Sequence, residues 1–247
     1  MNNRKMLKAW SAGILLSTAS TFASATPVTM DLDYTGFPEG YQGGTITNDG
    51  NATNVRAGMF RFSVSNLQGT SPFPLSADDV IDAFCVDIDT YLDTTNTISY
   101  SLEDAGTYFG DANKVDQIGR LYTGFESLVS GADRSAAFQL ALWEIINEDA
   151  GSLDLSNGSF SSSAFDSARG IGEGWLGSLN GFENNYQLYV LSSELLESNG
   201  GLEKKSQDLL VFSPKPPVKV PEPGTLALLA LGIFGLVLRK KAGPKKN

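Results

Sequence analysis

The chain contains no histidine at all, and only one cysteine, in 247 residues. The first absence removes the commonest general base and the commonest transition-metal ligand. It excludes Ser-His-Asp and Cys-His hydrolases and a His-based zinc site. The second rules out an internal disulfide, because one thiol has no intramolecular partner. Basic charge is also scarce. Between residues 26 and 220 there are 27 acidic and 10 basic residues. Such a body lacks the positive footprint that phosphate neutralisation needs, which argues against nucleic-acid binding. No apolar run reaches the ~20 residues that cross a bilayer squarely. The longest, Leu226 to Leu238, spans 13 residues and is interrupted by Gly232 and Gly235. No internal repeat is visible.

What is present is informative first at the two ends. Arg4, Lys5 and Lys8 precede an apolar stretch from Ala9 to Leu16, and Ala23-Ser24-Ala25 places small residues where signal peptidase reads them. Residues 1–25 therefore read as a secretory signal peptide, with cleavage between Ala25 and Thr26. At the other end, Pro221-Glu222-Pro223 is followed by the short apolar run and by Arg239, Lys240 and Lys241. Basic residues beyond an apolar helix stay on the cytoplasmic side, so the run reads as a brief membrane stop. This order resembles the PEP-CTERM sorting signal over residues 220–247. The resemblance implies an exported protein of a Gram-negative bacterium, handled by signal peptidase and an exosortase. It also implies transient anchoring in the inner membrane, then release to the cell surface or to an extracellular polysaccharide (biofilm) matrix.

Between the ends lie a body, residues 26–212, and a Pro-rich linker, 213–220, before the 221–247 tail. The body is long enough to bury a core. Val28 to Tyr34 alternates, and Phe60, Phe62 and Val64 fall on one face of a second alternating run. Val80 to Ile88, Tyr91 to Leu102 and Gln207 to Phe212 read as further strands. Helical spacing appears at Ile118, Leu121, Tyr122 and Phe125. It appears again over Arg134 to Asn147, with Asp133 as the expected N-cap. Gly181 to Ser198 also reads as helix, 151–163 as loop or hairpin, and 164–179 is ambiguous. The expected class is α+β: a mainly antiparallel β-sandwich or barrel with a helical insertion, between the signal peptide and one short C-terminal membrane helix.

The lone cysteine stands in Phe84-Cys85-Val86-Asp87, and Phe138-Gln139-Leu140-Ala141-Leu142-Trp143 lies downstream. A glutamine inside an apolar helix needs a partner, because an unpaired buried amide is costly. In this order the two stretches resemble the thioester domains of bacterial surface adhesins. That resemblance implies a bond between the Cys85 sulfur and the Gln139 side-chain carbon, formed with loss of ammonia. Phe84, Asp87, Phe138 and Trp143 would support it. It also implies capture of a protein or polysaccharide partner through an amine or hydroxyl. The reaction occurs once per molecule, so the expectation is a covalent binder and not a turnover enzyme, with no cofactor or metal required. The alternative is a non-covalent structural or carbohydrate-binding matrix protein in which Cys85 is buried and inert. Asp78, Asp79, Asp82, Asp87, Asp89 and Asp93 invite a calcium reading. They lack the glycine and closing glutamate of an EF-hand loop, so a solvated acidic face is favoured. Trp175 reads as a core anchor before a sugar platform.

Overall fold

The computed structural model describes residues 26–148, 153–198 and 201–217. The signal peptide with Ala25, the sorting motif Pro221-Glu222-Pro223 and the C-terminal apolar run lie outside them. Eleven strands and four α-helices follow in chain order. They are β1 Thr29–Gly36, β2 Gln42–Asn48, β3 Asn51–Ala57, β4 Phe60–Gln68, β5 Val80–Cys85 and β6 Ile98–Asp104. Then come α1 Ala105–Phe109, α2 Ala112–Phe125, α3 Ala132–Asn147, β7 Phe160–Ser163, α4 Ser167–Leu176, β8 Tyr186–Ser193, β9 Leu195–Ser198, β10 Gly201–Lys204 and β11 Leu209–Pro214.

Six strands close an antiparallel barrel in the order β1-β4-β5-β11-β8-β6. Its inner face follows the period-2 pattern: Met30, Leu32, Phe60, Phe62, Val64, Leu188 and Val190 are buried. A second sheet, β3-β2-β7, grows from the β2–β3 hairpin turned at Asp49-Gly50. It carries a close-packed position at Gly44, where a Cβ would come within 2.7 Å of the Phe165 ring and of the Ser163 carbonyl. Helix α3 contacts this sheet, α2 and α4. Every residue from Ser135 to Ile145 is buried, as befits a helix surrounded by protein on all sides. The fold is mainly antiparallel β, with a barrel and a few helices inserted before the last barrel strands.

Four sequence expectations need correction. Gly181 to Ser198 is not helical: its core is β8, hydrogen-bonded to β6 on one side and β11 on the other. Tyr186, Leu188 and Val190 fit a pleated, half-buried surface, and pairing on both edges overrides the helical reading. The strand expected from Tyr91 begins only at Ile98, because Asp93 first folds a turn, accepting from the backbone N–H of Thr95 and of Asn96. Asp133 is not the N-cap of α3. The helix starts one residue before it, after Gly131 at φ 75°, and the Asp133 carboxylate instead accepts from Gln42 Nε2 and Ser167 Oγ. Finally, β11 runs through Pro214, into the stretch read as linker.

The barrel interior makes a stability prediction. Phe62, 2% exposed, should lose about 3–5 kcal/mol on truncation to alanine, from lost burial and the cavity left behind. Val80→Ala, at 58% exposure, should stay within about 0.5 kcal/mol. Urea unfolding of both variants measures the difference.

Candidate functional site

Cys85 closes β5 at a place where the barrel runs out of strand. On one side β11 continues the ladder, with the Val86 N–H donating to the Asp208 carbonyl at 3.1 Å. On the other side β4 begins at Phe60, opposite Ala83. No strand residue therefore faces Cys85 along that edge, yet its backbone is buried and must be satisfied. Gln139 takes the missing place. The Cys85 N–H donates to Gln139 Oε1 at 2.9 Å, and Gln139 Nε2 donates to the Cys85 carbonyl at 2.8 Å. Both residues are fully buried.

The same helix face repeats the device. Ser135, Gln139 and Trp143 are spaced four apart and share one side of α3. Ser135 Oγ accepts from the Met59 N–H at 2.8 Å, so one residue serves the end of β4 and another the end of β5. Gly58 allows the approach, since a Cβ there would sit 2.8 Å from the Gly40 carbonyl and 3.2 Å from Ser135 Oγ. Ser135 was not singled out from the sequence. Its spacing from Gln139 was the available signal.

The Cys85 sulfur donates to the Asp87 carbonyl at 2.9 Å. Burial pushes the thiol well above its ordinary range. The neighbouring Trp143 indole pulls it partly back, while the charges of Asp87 and Asp208 add to the rise. That indole N–H stands beside the sulfur but makes no hydrogen bond of normal geometry. Phe84 and Phe138 pack at 4.3 Å between centroids, and Phe212 and Tyr122 extend the apolar shell around Phe138. Of the residues expected to support the pair, Phe84 and Phe138 pack on each other beside it in the chain, and the Trp143 indole lies near the thiol. The Asp87 carboxylate turns elsewhere. Its Oδ2 accepts from Lys204 Nζ at 2.9 Å and its Oδ1 from the Asp89 N–H.

Lys204 links Asp87 to Asp208, which is 1% exposed and also accepts from Tyr108 Oη and the Ser193 N–H. Desolvation works to lower the Lys204 pKa. The hydrogen bonds to the two carboxylates outweigh it and hold the ammonium well above its usual range. This network ties β8, β10 and β11 to the segment just after Cys85. Lys204, Asp208 and Tyr108 are far apart in sequence, and no local pattern predicts their meeting.

The acidic run does not converge. Asp82 pairs with Arg61, Asp87 with Lys204, and Asp79 and Asp93 hold local turns. Among the described residues no group of three or more metal-ligating side chains could hold an ion. Trp175 is buried and stacks on Phe125 at 4.8 Å, which is a packing role.

Above Trp143 opens a cavity of about 750 Å³. It lies between the barrel residues Tyr34 and Phe60, the β2–β3 hairpin, and the segment from Ile88 to Thr94. Trp143 lines the cavity and lies close enough to the Cys85 thiol to lower its pKa.

The sorting tail is found: the PEP-CTERM protein-sorting motif matches residues 219–241. It marks an exported, cell-surface-directed chain processed by an exosortase. No curated protein matches the chain. Among the described residues no helix is long and apolar enough to cross a membrane.

One buried acid near the far end of α3 yields a pH prediction. Glu144 is fully buried. Its Oε1 accepts from the Asp154 N–H at 2.7 Å, and its Oε2 has no partner. Burial raises its pKa to about 7, against a small lowering by that hydrogen bond and a further rise from Glu148 and Asp154. A carboxyl whose pKa is raised on folding stabilises the native state below its unfolded value, and that stability is lost as pH climbs through the folded value. Glu144→Gln keeps the acceptor for Asp154 and removes the titration. Relative to wild type, the variant should gain about 1–2 kcal/mol of stability between pH 5 and pH 8, the scale of the shift after allowance for solvent screening. Denaturant midpoints across that range check it; a pH-independent difference would refute it.

Proposed function

We propose that this is an exported surface or extracellular-matrix protein of a Gram-negative bacterium that attaches covalently to a partner through a Cys85–Gln139 thioester. In this reading the C-terminal helix holds it briefly in the inner membrane until an exosortase acts. The observation that carries the proposal is the amide of Gln139 held against the Cys85 backbone in a dry pocket. The sulfur is separated from the Cys85 nitrogen only by Cα and Cβ. That nitrogen donates to the oxygen of the amide to be attacked.

The bond changes balance. The Sγ–Cδ bond forms, the Cδ–N bond of Gln139 breaks, and the thiol proton leaves with the nitrogen as ammonia. Burial holds the thiol protonated, so its proton passes to the departing nitrogen as the sulfur attacks, the thiolate being the nucleophile. Phe84, Phe138 and Trp143 keep water from the acyl carbon. A nucleophile on the partner then takes the acyl group, the Cδ–S bond breaks, and Cys85 recovers a proton. The event occurs once per molecule, so the protein is a binder and not a turnover enzyme. Asp87 acts only through its carbonyl and through Lys204, as a positioning residue.

A second reading has its own support. The same two hydrogen bonds satisfy Cys85 as a purely structural glutamine would, leaving an inert thiol in a non-covalent matrix protein. Intact mass separates the two. The thioester predicts a body short by one ammonia, no thiol titratable until methylamine is added, and a full mass in Cys85→Ala. A full mass with a free thiol in wild type, once denatured, sinks the thioester.

A further inference from the structure

The cavity above Trp143 has a composition that selects among guests. Its walls carry the aromatic faces of Tyr34, Phe37, Phe60, Tyr91 and Trp143. Hydrogen-bonding groups are interspersed: Thr45, Asn54, Thr94 and Gln207. One buried polar atom of a lining residue, Gln207 Oε1, has no partner among the described residues. Such atoms are uncommon in native structures and call for an explanation. Asn54 receives the Thr45 hydroxyl on Oδ1 at 2.8 Å, so its amide N–H₂ remains free to donate. The single charged lining residue is Arg56, which lies over the Tyr41 ring at 5.0 Å and makes no ion pair among the described residues. No carboxylate lines the cavity among the described residues.

We infer that this cavity is a glycan-binding cleft that presents a sugar hydroxyl to the Cys85–Gln139 pair. Alternating ring faces and amide or hydroxyl groups suit a pyranose, whose C–H faces pack on aromatic rings while its rim exchanges hydrogen bonds. A wholly apolar guest would leave Asn54, Thr94 and Arg56 desolvated without recompense. A protonated lysine would meet Arg56 and find no carboxylate to pair with. Tyr91 is 75% exposed, so it forms a lip that a polymer can reach from solvent. Trp143 lines the cavity and lies on the same face of α3 as Gln139, so in this inference the acyl carbon is approached past its ring.

The covalent half of this inference rests on the thioester proposed above. In it the sugar oxygen bonds to Gln139 Cδ, the Cδ–S bond breaks, and the hydroxyl proton passes to the Cys85 sulfur. The product is an ester and a free thiol. The binding half stands without it, and the experiment keeps the two apart.

Cys85→Ala protein, with Cys85→Ser as a second background, is titrated with short neutral oligosaccharides and read by tryptophan fluorescence. Saturable binding is expected, weakened about tenfold by Tyr91→Ala through loss of one stacking face. Absence of saturable binding in both backgrounds, or binding that Tyr91→Ala leaves intact, overturns the cleft. Wild-type protein carrying the ammonia deficit is then offered the oligosaccharide together with Nα-acetyl-lysine amide. A mass gain equal to the saccharide, reversed by hydroxylamine, is expected. Modification by the amine alone, or a wild type of full mass, overturns acyl transfer to the glycan, while the Cys85→Ala titration decides the cleft by itself.

Discussion

Two hydrogen bonds between the Gln139 amide and the Cys85 backbone fix the relation between the central helix and the barrel. The barrel is incomplete where β4 has not yet begun and β5 has not yet ended. An open, buried edge of that kind costs about 1–3 kcal/mol for each unpaired group. The chain closes it with side chains from one stripe of α3. Ser135 and Gln139 act as substitutes for a strand, and Trp143 continues the stripe toward the cavity. Everything proposed about chemistry depends on this docking, because it holds the Gln139 amide against the Cys85 backbone with both residues fully buried.

The docking also explains why the region tolerates such unusual burial. Helix α3 is covered all round, by the barrel, the three-stranded sheet and two other helices. Ser135, Gln139 and Glu144 each have a backbone partner there, and burial raises the Glu144 pKa to about 7. On the outer side of Cys85, the Asp87–Lys204–Asp208 network ties the end of β5 to β10 and β11 through an ion triad that remains partly wet at Lys204. The cysteine therefore sits between a dry clamp and a charged one.

The sequence disclosed the parts whose logic is local. The alternation of Phe60, Phe62 and Val64 gave a barrel strand with the right inner face, and helical spacing located α2 and α3. The Cys85 and Gln139 stretches were legible because a single cysteine and a glutamine in an apolar helix are each out of place. What stayed hidden depends on long-range pairing. β8 carries apolar residues that fit either period, and only its two neighbours decide the matter. The β2–β3 hairpin is polar and glycine-rich, so its strands give no alternating signal. Asp133 looked like a cap because caps are local, yet its partners Gln42 and Ser167 come from distant segments. Asp87 was legible as a neighbour of Cys85, but the partner of its carboxylate, Lys204, lies far away in the chain.

The tail and the buried pair set complementary constraints. The PEP-CTERM match directs the protein out of the cell, where a lone thiol faces oxidation unless it is buried or bonded. The structure provides burial: Cys85 is inaccessible, and its thiol is held in the protonated, less reactive form. An apolar neighbour would cover the sulfur but leave the buried Cys85 N–H and carbonyl unpaired, so this edge needs one group that both donates and accepts. The Gln139 amide does both, donating and accepting in the place of a strand, and it is also the group on which the proposed thioester would be built. Four residues further along the same helix face, Trp143 carries the stripe to the wall of the cavity, so one side of α3 serves both the barrel edge and the open cleft.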